Sequence, residues 1–274
     1  MKVTRRRIFS LAAALILMVG LLVPKARAAS GVTVKVNGST IAGAQLIGNT
    51  TYVPFAEFCR TMGASSASVS GKTGTAKGSY TVQATAGNPY VVANGRYLYT
   101  GSFTPVRQSG GSLLVPVRPL ARAYGASVSW NGKTYTATVT GSGKLASGSS
   151  TYDSTDLHWL SRIISAEARG ESLAGKIGVG NVVLNRVASK SFPNTVKGVV
   201  FEVNSGVYQF TPAANGSIHD SPTEESVIAA KLVLDGASAA SDALYFFNPA
   251  KTSASWIVRN RTYLVTIGNH AFYR

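Results

Sequence analysis

The first half of the chain contains an internal repeat, which constrains its fold more than any other feature of the sequence. Two segments recur 62 residues later and a third recurs 61 residues later: residues 52–54, 60–64 and 71–73 are matched by 114–116, 122–126 and 132–134. In each copy a β-rich segment ends at Val-Pro, a short amphipathic helix follows, and Gly-Ala ends the helix. The repeat therefore predicts an α+β domain built from two related units.

A Gly/Ser-rich segment at residues 141–152 separates this domain, at 29–140, from a second domain at 153–274. Such a composition is typical of a flexible linker, so the second domain is expected to move relative to the first. The second half shows mainly helical patterning, with a first helix that Ser154 or Thr155 can cap and that ends before Gly170.

Two more helices are predicted in the second half. One runs from about Ser172 to Ser189. The other starts at the strong signal Ser221-Pro222-Thr223-Glu224, with Ser221 as the cap, and runs to Asp235. Short apolar runs at 244–247 and 263–267 are candidate strands. The fold class predicted for the whole chain is an α+β domain followed by a mainly α domain.

The N-terminus has the pattern of an export signal. A basic block precedes an uncharged apolar stretch at 8–23, Pro24 ends that stretch, and Ala26 and Ala28 provide small residues before a cut. Residues 1–28 are therefore predicted to be a cleaved signal peptide, and an uncleaved membrane anchor is the alternative. Cleavage would leave no stable membrane anchor, and export makes nucleic acid an unsuitable partner.

Basic residues dominate the first half. The chain has a formal net charge of +16; residues 29–150 hold ten Lys/Arg and one acid, Glu57, whereas residues 151–274 hold eleven Lys/Arg and ten acids. Outside the cell, the first half would be attracted to an anionic wall polymer. The alternative is that these charges only keep a small domain soluble.

The repeat pattern over about residues 31–140 resembles the stalk-like domain named after the copper amine oxidase N-terminus. The resemblance implies presentation or adhesion, and the chain gives no reason to expect copper there. No His lies between residues 29 and 150, so an imidazole copper site cannot form. Cys59 lies among apolar helix positions and is interpreted as a buried small hydrophobe.

Glu167 is the main candidate for chemistry. It lies in the last turn of the first predicted helix, where the negative end of the helix dipole disfavours a carboxylate, and an apolar cleft would disfavour it further. A carboxylic acid that stays protonated can donate a proton to a glycosidic oxygen. Glu171 follows after the break at Gly170, and we expect it to satisfy backbone N–H groups at the start of the next helix.

Six strings in the second half occur in an order that closely resembles the cell-wall hydrolase family, which includes the spore-cortex-lytic enzymes. They lie at residues 166–171, 182–187, 191–195, 209–212, 246–249 and 268–273. The resemblance spans about residues 153–274. It implies a lysozyme-like fold of the lytic-transglycosylase type, and peptidoglycan as the substrate.

The resemblance also implies roles for single residues. Glu167 matches the single catalytic acid, and Gln209 ends a Gly-x-x-Gln segment that lines the sugar cleft in related transglycosylases. Tyr245 and Asn248 lie where those enzymes keep a Tyr and an Asn near the acid, although here two phenylalanines separate them. Tyr208 and Phe210 are candidate flat surfaces for sugar rings, with burial in the core as the alternative.

No cofactor or metal is expected for this chemistry. A zinc amidase acting on the same polymer is one alternative, because the chain has His158, His219 and His270, but no two are four residues apart on a helix. A non-catalytic wall-binding protein is the other alternative, and the first half would suit that role.

Overall fold

A computed structural model describes residues 31–101 and 104–274. The predicted signal peptide, residues 1–28, lies outside the described residues. Within the described part of the chain, no helix is long and apolar enough to cross a membrane.

The first half is rich in β-structure, as the sequence predicts. Its strands are β1 (Thr33–Val36), β2 (Ser39–Ile41), β3 (Gln45–Ile47), β4 (Thr50–Pro54), β5 (Ser66–Ser70), β6 (Thr73–Lys77), β7 (Thr81–Thr85), β8 (Tyr90–Ala93), β9 (Arg96–Tyr99), β10 (Arg107–Ser109), β11 (Ser112–Pro116), β12 (Ser127–Asn131) and β13 (Thr136–Thr140). Its helices are α1 (Phe55–Thr61) and α2 (Val117–Arg122).

The strands form three sheets. Two have four strands, in the orders β12-β13-β1-β2 and β10-β11-β4-β3, and the third has five consecutive strands from β5 to β9. At the centre of the second sheet, β4 and β11 are antiparallel, with Val53 opposite Val115. Each of these strands has its own hairpin partner and leads directly into a short helix, so the same element order occurs twice around this strand pair.

Apolar side chains from these sheets and both helices form one core. Phe55, Phe58 and Leu120 from the two helices are fully buried in it. Cys59 is also fully buried, and burial raises the pKa of its thiol to about 12. The interpretation of Cys59 as a buried hydrophobe is confirmed.

The second half is mainly helical. Its helices are α3 (Gly148–Thr151), α4 (Ser154–Ala168), α5 (Leu173–Ala188), α6 (Val196–Val200), α7 (Thr211–Asn215), α8 (Glu224–Leu234) and α9 (Ser255–Asn260). Its strands are β14 (Val203–Asn204), β15 (Val207–Tyr208), β16 (Tyr245–Phe247), β17 (Tyr263–Ile267) and β18 (His270–Tyr273). Apolar faces of α4, α5 and α8 pack together in a core that includes Leu160, Ile164, Ile177 and Leu232.

The predicted positions of the three long helices are confirmed, but two of their caps are not. Asp153, rather than Ser154 or Thr155, caps α4, since its carboxylate accepts from the backbone N–H groups of Thr155 and Asp156, both at 2.9 Å. Thr223, rather than Ser221, caps α8 by accepting from the backbone N–H of Ser226. Ser172 caps α5 as the sequence predicts.

The Gly/Ser-rich segment is not a free linker, contrary to the expectation from its composition. Leu145 is packed into the core of the first domain. Asn94 holds the segment from two directions: its side-chain amide donates to the Leu145 carbonyl at 2.7 Å, and its own carbonyl accepts from Gly148 at 2.9 Å. The segment therefore runs along the first domain.

Asp235, at the end of α8, connects the two domains. Its side chain is fully buried and accepts hydrogen bonds from Arg96 and Arg122 of the first domain and from the hydroxyl of Tyr152 in the connecting segment. Tyr97 of the first domain packs against the second-domain core. This buried ionic cluster, which we call the Asp235 cluster, opposes the relative domain motion that the sequence predicted.

Candidate functional site

Glu167 is the penultimate residue of α4, and its side chain is half-buried. The helix is fixed on its opposite face, because Ile163, Ile164 and Ala168 are buried in the core of the second domain. No described residue makes a hydrogen bond or ion pair with the Glu167 carboxyl. The acid is therefore held in place by its helix rather than by polar partners.

Desolvation controls the protonation of this acid. Burial raises the pKa of Glu167 to about 7, and the positive charge of Lys251 acts in the opposite direction. Arg169 does not pair with it, since its guanidinium donates to the Ser221 carbonyl at 3.4 Å. At neutral pH a large fraction of Glu167 is thus protonated, and this acid can donate its proton as well as take one back.

Glu171 has a structural role, but with a partner other than the one predicted. Its carboxylate accepts from the backbone N–H of Asn269 at 3.1 Å and from the Asn269 side-chain amide at 2.8 Å. Burial alone would raise the pKa of Glu171, but the two Asn269 hydrogen bonds, together with the charges of His270 and Lys176, outweigh it and lower the pKa. Glu171 therefore fixes the turn between β17 and β18 rather than the start of α5.

Tyr245, on β16, is half-buried between two arginine side chains and a tryptophan ring. The Arg261 guanidinium lies 4.7 Å from the centroid of its ring, and the Arg186 guanidinium lies 5.6 Å from it. Trp256 packs edge-on against the same ring and is 53% exposed. These contacts fix the orientation of Tyr245 and leave one aromatic surface, Trp256, open to solvent.

Asn248 immediately follows this strand and shapes the loop that carries Lys251. Its side-chain oxygen accepts from the backbone N–H of Ala250 at 2.9 Å, and its carbonyl accepts from the backbone N–H of Lys251 at 2.9 Å. Among the described residues nothing pairs with the amide nitrogen of Asn248. This loop thus brings a cation into the electrostatic environment of Glu167.

His270 lies close to the same charges. Burial lowers its pKa; Glu171 opposes this effect and Lys251 adds to it. Its ring packs edge-on against Phe246, with centroids 5.1 Å apart. Around the end of α4, the fold therefore gathers Glu167, Lys251 and the Glu171–His270 pair.

The remaining predicted site residues separate into exposed and buried positions. Tyr208 lies on the β14–β15 hairpin with its side chain 43% exposed, and Gln209 follows it, exposed, with its backbone N–H donating to the Glu202 carbonyl at 2.9 Å. Phe210 is only 3% exposed. The prediction of Phe210 as a sugar-stacking surface is wrong, because the side chain is packed in the core beneath the Arg186 guanidinium.

Comparisons with known proteins assign the second half to a family. Residues 170–273 match the family described as Cell Wall Hydrolase. They belong to this family. Residues 92–149 match the copper amine oxidase N-terminal domain, which confirms the resemblance of the first half for the part that includes its second unit. The cell-wall hydrolase match begins just after Glu167, so the role of this acid remains a proposal.

Several relatives of this hydrolase family are spore cortex-lytic enzymes. The enzyme of Bacillus cereus is 38% identical over 121 residues, which cover 44% of this chain and 45% of the relative. The enzyme of Bacillus subtilis is 36% identical over 121 residues, which cover 44% of this chain and 38% of the relative. The solved catalytic domain of the germination-specific lytic transglycosylase SleB from Bacillus anthracis is 37% identical to this chain, with a TM-score of 0.41. The match covers 45% of this chain and 97% of the solved domain. The match thus spans less than half the length of these curated relatives.

Sequence reasoning assigned no role to three basic residues of this domain: Lys251, whose charge acts on Glu167, and Arg186 and Arg261, which contact the Tyr245 ring. Lys251 and Arg261 lie in loops without a recognisable motif. Arg186 lies in the string at 182–187 that carries the family resemblance, but the resemblance assigns it no role. Arg186 is buried and lies 4.9 Å from the Phe192 ring centroid. An Arg at an apolar helix position is seldom buried without a partner, and this signal could have predicted a contact between Arg186 and aromatic rings.

The three histidines do not converge. His158 and His219 both pack against Trp159, with ring centroids 4.7 and 5.9 Å away, whereas His270 packs against Phe246. In the described ranges, no group of three His, Cys, Asp or Glu side chains is arranged to hold a metal ion.

Proposed function

We propose that this protein is an exported enzyme that degrades peptidoglycan, cleaving the glycan strand between N-acetylmuramic acid and N-acetylglucosamine as a lytic transglycosylase. One observation carries the proposal: the acid at the end of α4, just before the segment that matches the cell-wall hydrolase family, has a pKa raised to about 7 by burial. The names of the relatives support peptidoglycan as the substrate. Because several are named spore cortex-lytic enzymes, the spore cortex is the form of peptidoglycan that we propose.

The reaction needs a single carboxyl group. Protonated Glu167 donates its proton to the glycosidic oxygen, and the bond from that oxygen to the muramic acid carbon breaks. The carboxylate then removes the proton of the muramoyl 6-hydroxyl, whose oxygen forms a bond to the same carbon and closes a 1,6-anhydro ring. Glu167 is thereby returned to its protonated state, and no water is consumed.

The other assigned roles follow from position. Asn248, whose amide nitrogen has no partner in the described part of the chain, hydrogen-bonds the sugar beside Glu167. Tyr245 is positioned beside it by its two arginines. Tyr208 and Gln209 contact a sugar farther along the strand from the exposed β14–β15 hairpin. The lysozyme-like fold belongs to the same proposal and is supported by the helical core around α4.

The first domain holds the enzyme on its substrate in this proposal, and it arose by duplication of one unit. The central β4–β11 pair supports the duplication, because each strand leads into a helix that ends with the same hydrogen bonds. Gly63 donates to the Arg60 carbonyl at 2.9 Å, and Gly125 donates to the Arg122 carbonyl at 3.0 Å.

Mass analysis of the muropeptides released from purified peptidoglycan tests the reaction. Anhydro-muramic ends, lighter by one water than reducing ends, are expected from the wild-type chain. Glu167→Gln is expected to release them at least about a hundredfold more slowly while keeping its fold. Reducing ends instead would identify a hydrolase, and a fully active Glu167→Gln chain would remove Glu167 from the mechanism.

A further inference from the structure

The first domain contains a groove that the reaction does not use. It has a volume of about 520 Å³ and lies between the two four-stranded sheets. Leu46 and Thr50 contribute from one sheet, Val128 and Ala137 from the other, and Arg118 from the start of α2. Ligand pockets in proteins usually occupy roughly 300–1,000 Å³, so this groove has room for one or two sugar rings.

An exposed pair of aromatic rings lines the groove. Trp130 at the end of β12 is 40% exposed, and Tyr135 just before β13 is 53% exposed. Their rings meet edge to face, 6.0 Å apart at 89°. Among described residues, the Trp130 indole N–H has no partner. Two large aromatic side chains exposed together are unusual on a surface without a ligand.

The backbone at Tyr135 is strained. Its φ is +50°, in the left-handed region that bulky side chains seldom adopt. Asn131 stabilises the preceding turn, since its side-chain oxygen accepts from the backbone N–H groups of Lys133 and Thr134 at 3.0 and 3.2 Å. This turn positions the Tyr135 ring at the groove, where a glycine would fit the backbone with less strain.

Polar groups in the groove match a sugar acid. Arg118 donates one N–H to the Val128 carbonyl at 3.1 Å, and its other N–H groups make no hydrogen bond with any described residue. Thr50 and Asn49 add a hydroxyl and an amide at the edge of the groove. None of the described groove residues is acidic, so the Arg118 charge is free for a carboxylate.

We propose that this groove binds a glycan strand of peptidoglycan. The apolar face of one pyranose ring packs on Trp130 and Tyr135. Arg118 pairs with the lactyl carboxylate of muramic acid in stretches of the strand that carry no stem peptide, since elsewhere this carboxyl group is in an amide bond with the peptide. The inference rests on the proposed function, because it takes the same polymer as ligand. It gives the chain a second attachment to its substrate, which holds the catalytic domain on an insoluble wall between cleavages.

Binding is measured with the secreted form of the full chain carrying Glu167→Gln, so that the ligand is not cut. The ligand is peptide-free glycan strands, and the readout is the Trp130 indole N–H resonance, assigned with Trp130→Phe. We expect this resonance to shift on titration. On immobilised peptide-free strands, Trp130→Ala and Arg118→Ala should each weaken retention by about tenfold, whereas Trp130→Phe should retain most of the binding.

Tyr263→Ala is the matched control, since Tyr263 is also 53% exposed and packs edge to face on another tyrosine, but in the second domain. It should bind like the parent. Thermal unfolding verifies that each variant is folded. An unmoved Trp130 resonance, or binding only to teichoic acid, would overturn the proposal. If the groove binds strands but the active chain releases no muropeptides, the proposed function fails and the groove assignment stands.

Discussion

Glu167 combines its proposed catalytic use with a cost in stability, because its pKa of about 7 in the folded chain lies above the ordinary value of 4.5. The folded state therefore binds more protons than the unfolded state between these values, and stability falls as pH rises from about 4.5 to 7. The ionised acid costs up to about 3 kcal/mol of unfolding free energy above pH 7.

The first prediction concerns Glu167→Gln, which stays neutral at every pH. We expect its unfolding free energy to equal that of the wild type below pH 4 and to exceed it by up to about 3 kcal/mol at pH 8. Its turnover should fall by at least about a hundredfold. Urea unfolding at several pH values and muropeptide release measure the two effects. A variant less stable than wild type at pH 8 would contradict the desolvated environment.

The second prediction concerns Lys251, whose charge lowers the pKa of Glu167. Because the protonated acid starts the proposed reaction, activity should decline as pH rises through about 7. Removing the cation in Lys251→Met should raise the pKa of Glu167 and shift this decline to higher pH. Lys190→Met, which removes an exposed lysine at the end of α5, should leave the profile in place. Identical profiles for both variants would exclude Lys251 from the site.

At the residue scale, the sequence could identify Glu167 but not its environment. The string around it carries the resemblance, and its position at a helix end follows from the apolar periodicity. Lys251 lies far along the chain in a loop, and its approach to Glu167 depends on how β16 packs. The partner of Glu171 could not be predicted for the same reason, since Asn269 is brought to it by the β17–β18 turn.

At the element scale, helices were predicted well because their apolar faces repeat with the helical period. The start of α8 was misplaced, since Ser221 and Thr223 are both residue types that cap helices. A tertiary contact decides between them: the backbone N–H of Thr223 donates to the Ser165 hydroxyl of α4 at 3.2 Å. The short elements β14, β15 and α7 have too few residues for periodicity to reveal them.

The third prediction tests the chain between β15 and α7, where two aromatic residues have opposite environments. Phe210→Ala should destabilise the domain by about 3–5 kcal/mol, because it leaves a cavity in the core. Tyr208→Ala should change the unfolding free energy by less than about 0.5 kcal/mol, since the ring is exposed, but should raise KM for peptidoglycan. Urea unfolding and digestion kinetics separate the two. If the Phe210→Ala chain were as stable as wild type but bound peptidoglycan more weakly, Phe210 would be a sugar-binding residue and not a core residue.

At the scale of the whole molecule, composition misrepresents the connection between the domains. Glycine and serine in residues 141–152 indicate flexibility, but small residues also allow close backbone approach. A Cβ at Gly148 would lie 2.5 Å from the Gly95 carbonyl oxygen, and one at Gly125 would lie 3.1 Å from Gly143. The same composition thus serves a segment packed against the first domain, and a single sequence does not distinguish the two uses.

The fourth prediction is that the Asp235 cluster makes the two domains unfold together. Asp235→Ala removes the one carboxylate shared by Arg96, Arg122 and Tyr152, and leaves the Arg96 side chain, 13% exposed, without its counter-charge. Breaking a buried ion pair in this way costs about 3–5 kcal/mol. Since this loss falls on the interface, we expect calorimetry to resolve two transitions in the variant where the parent chain gives one.

Asp242→Ala provides the control for charge, because Asp242 forms an ion pair with Arg274 in which both side chains are more than half exposed. Solvent screens such a pair, so its loss should leave the unfolding curve unchanged. Asp235→Asn adds a finer test, as it keeps the shape and part of the hydrogen bonding but removes the charge; it should fall between wild type and Asp235→Ala. If all three variants unfold like the parent, the domains are coupled by the Tyr97 contacts instead. The Asp235 cluster would then fix the orientation of the two domains without adding to their stability.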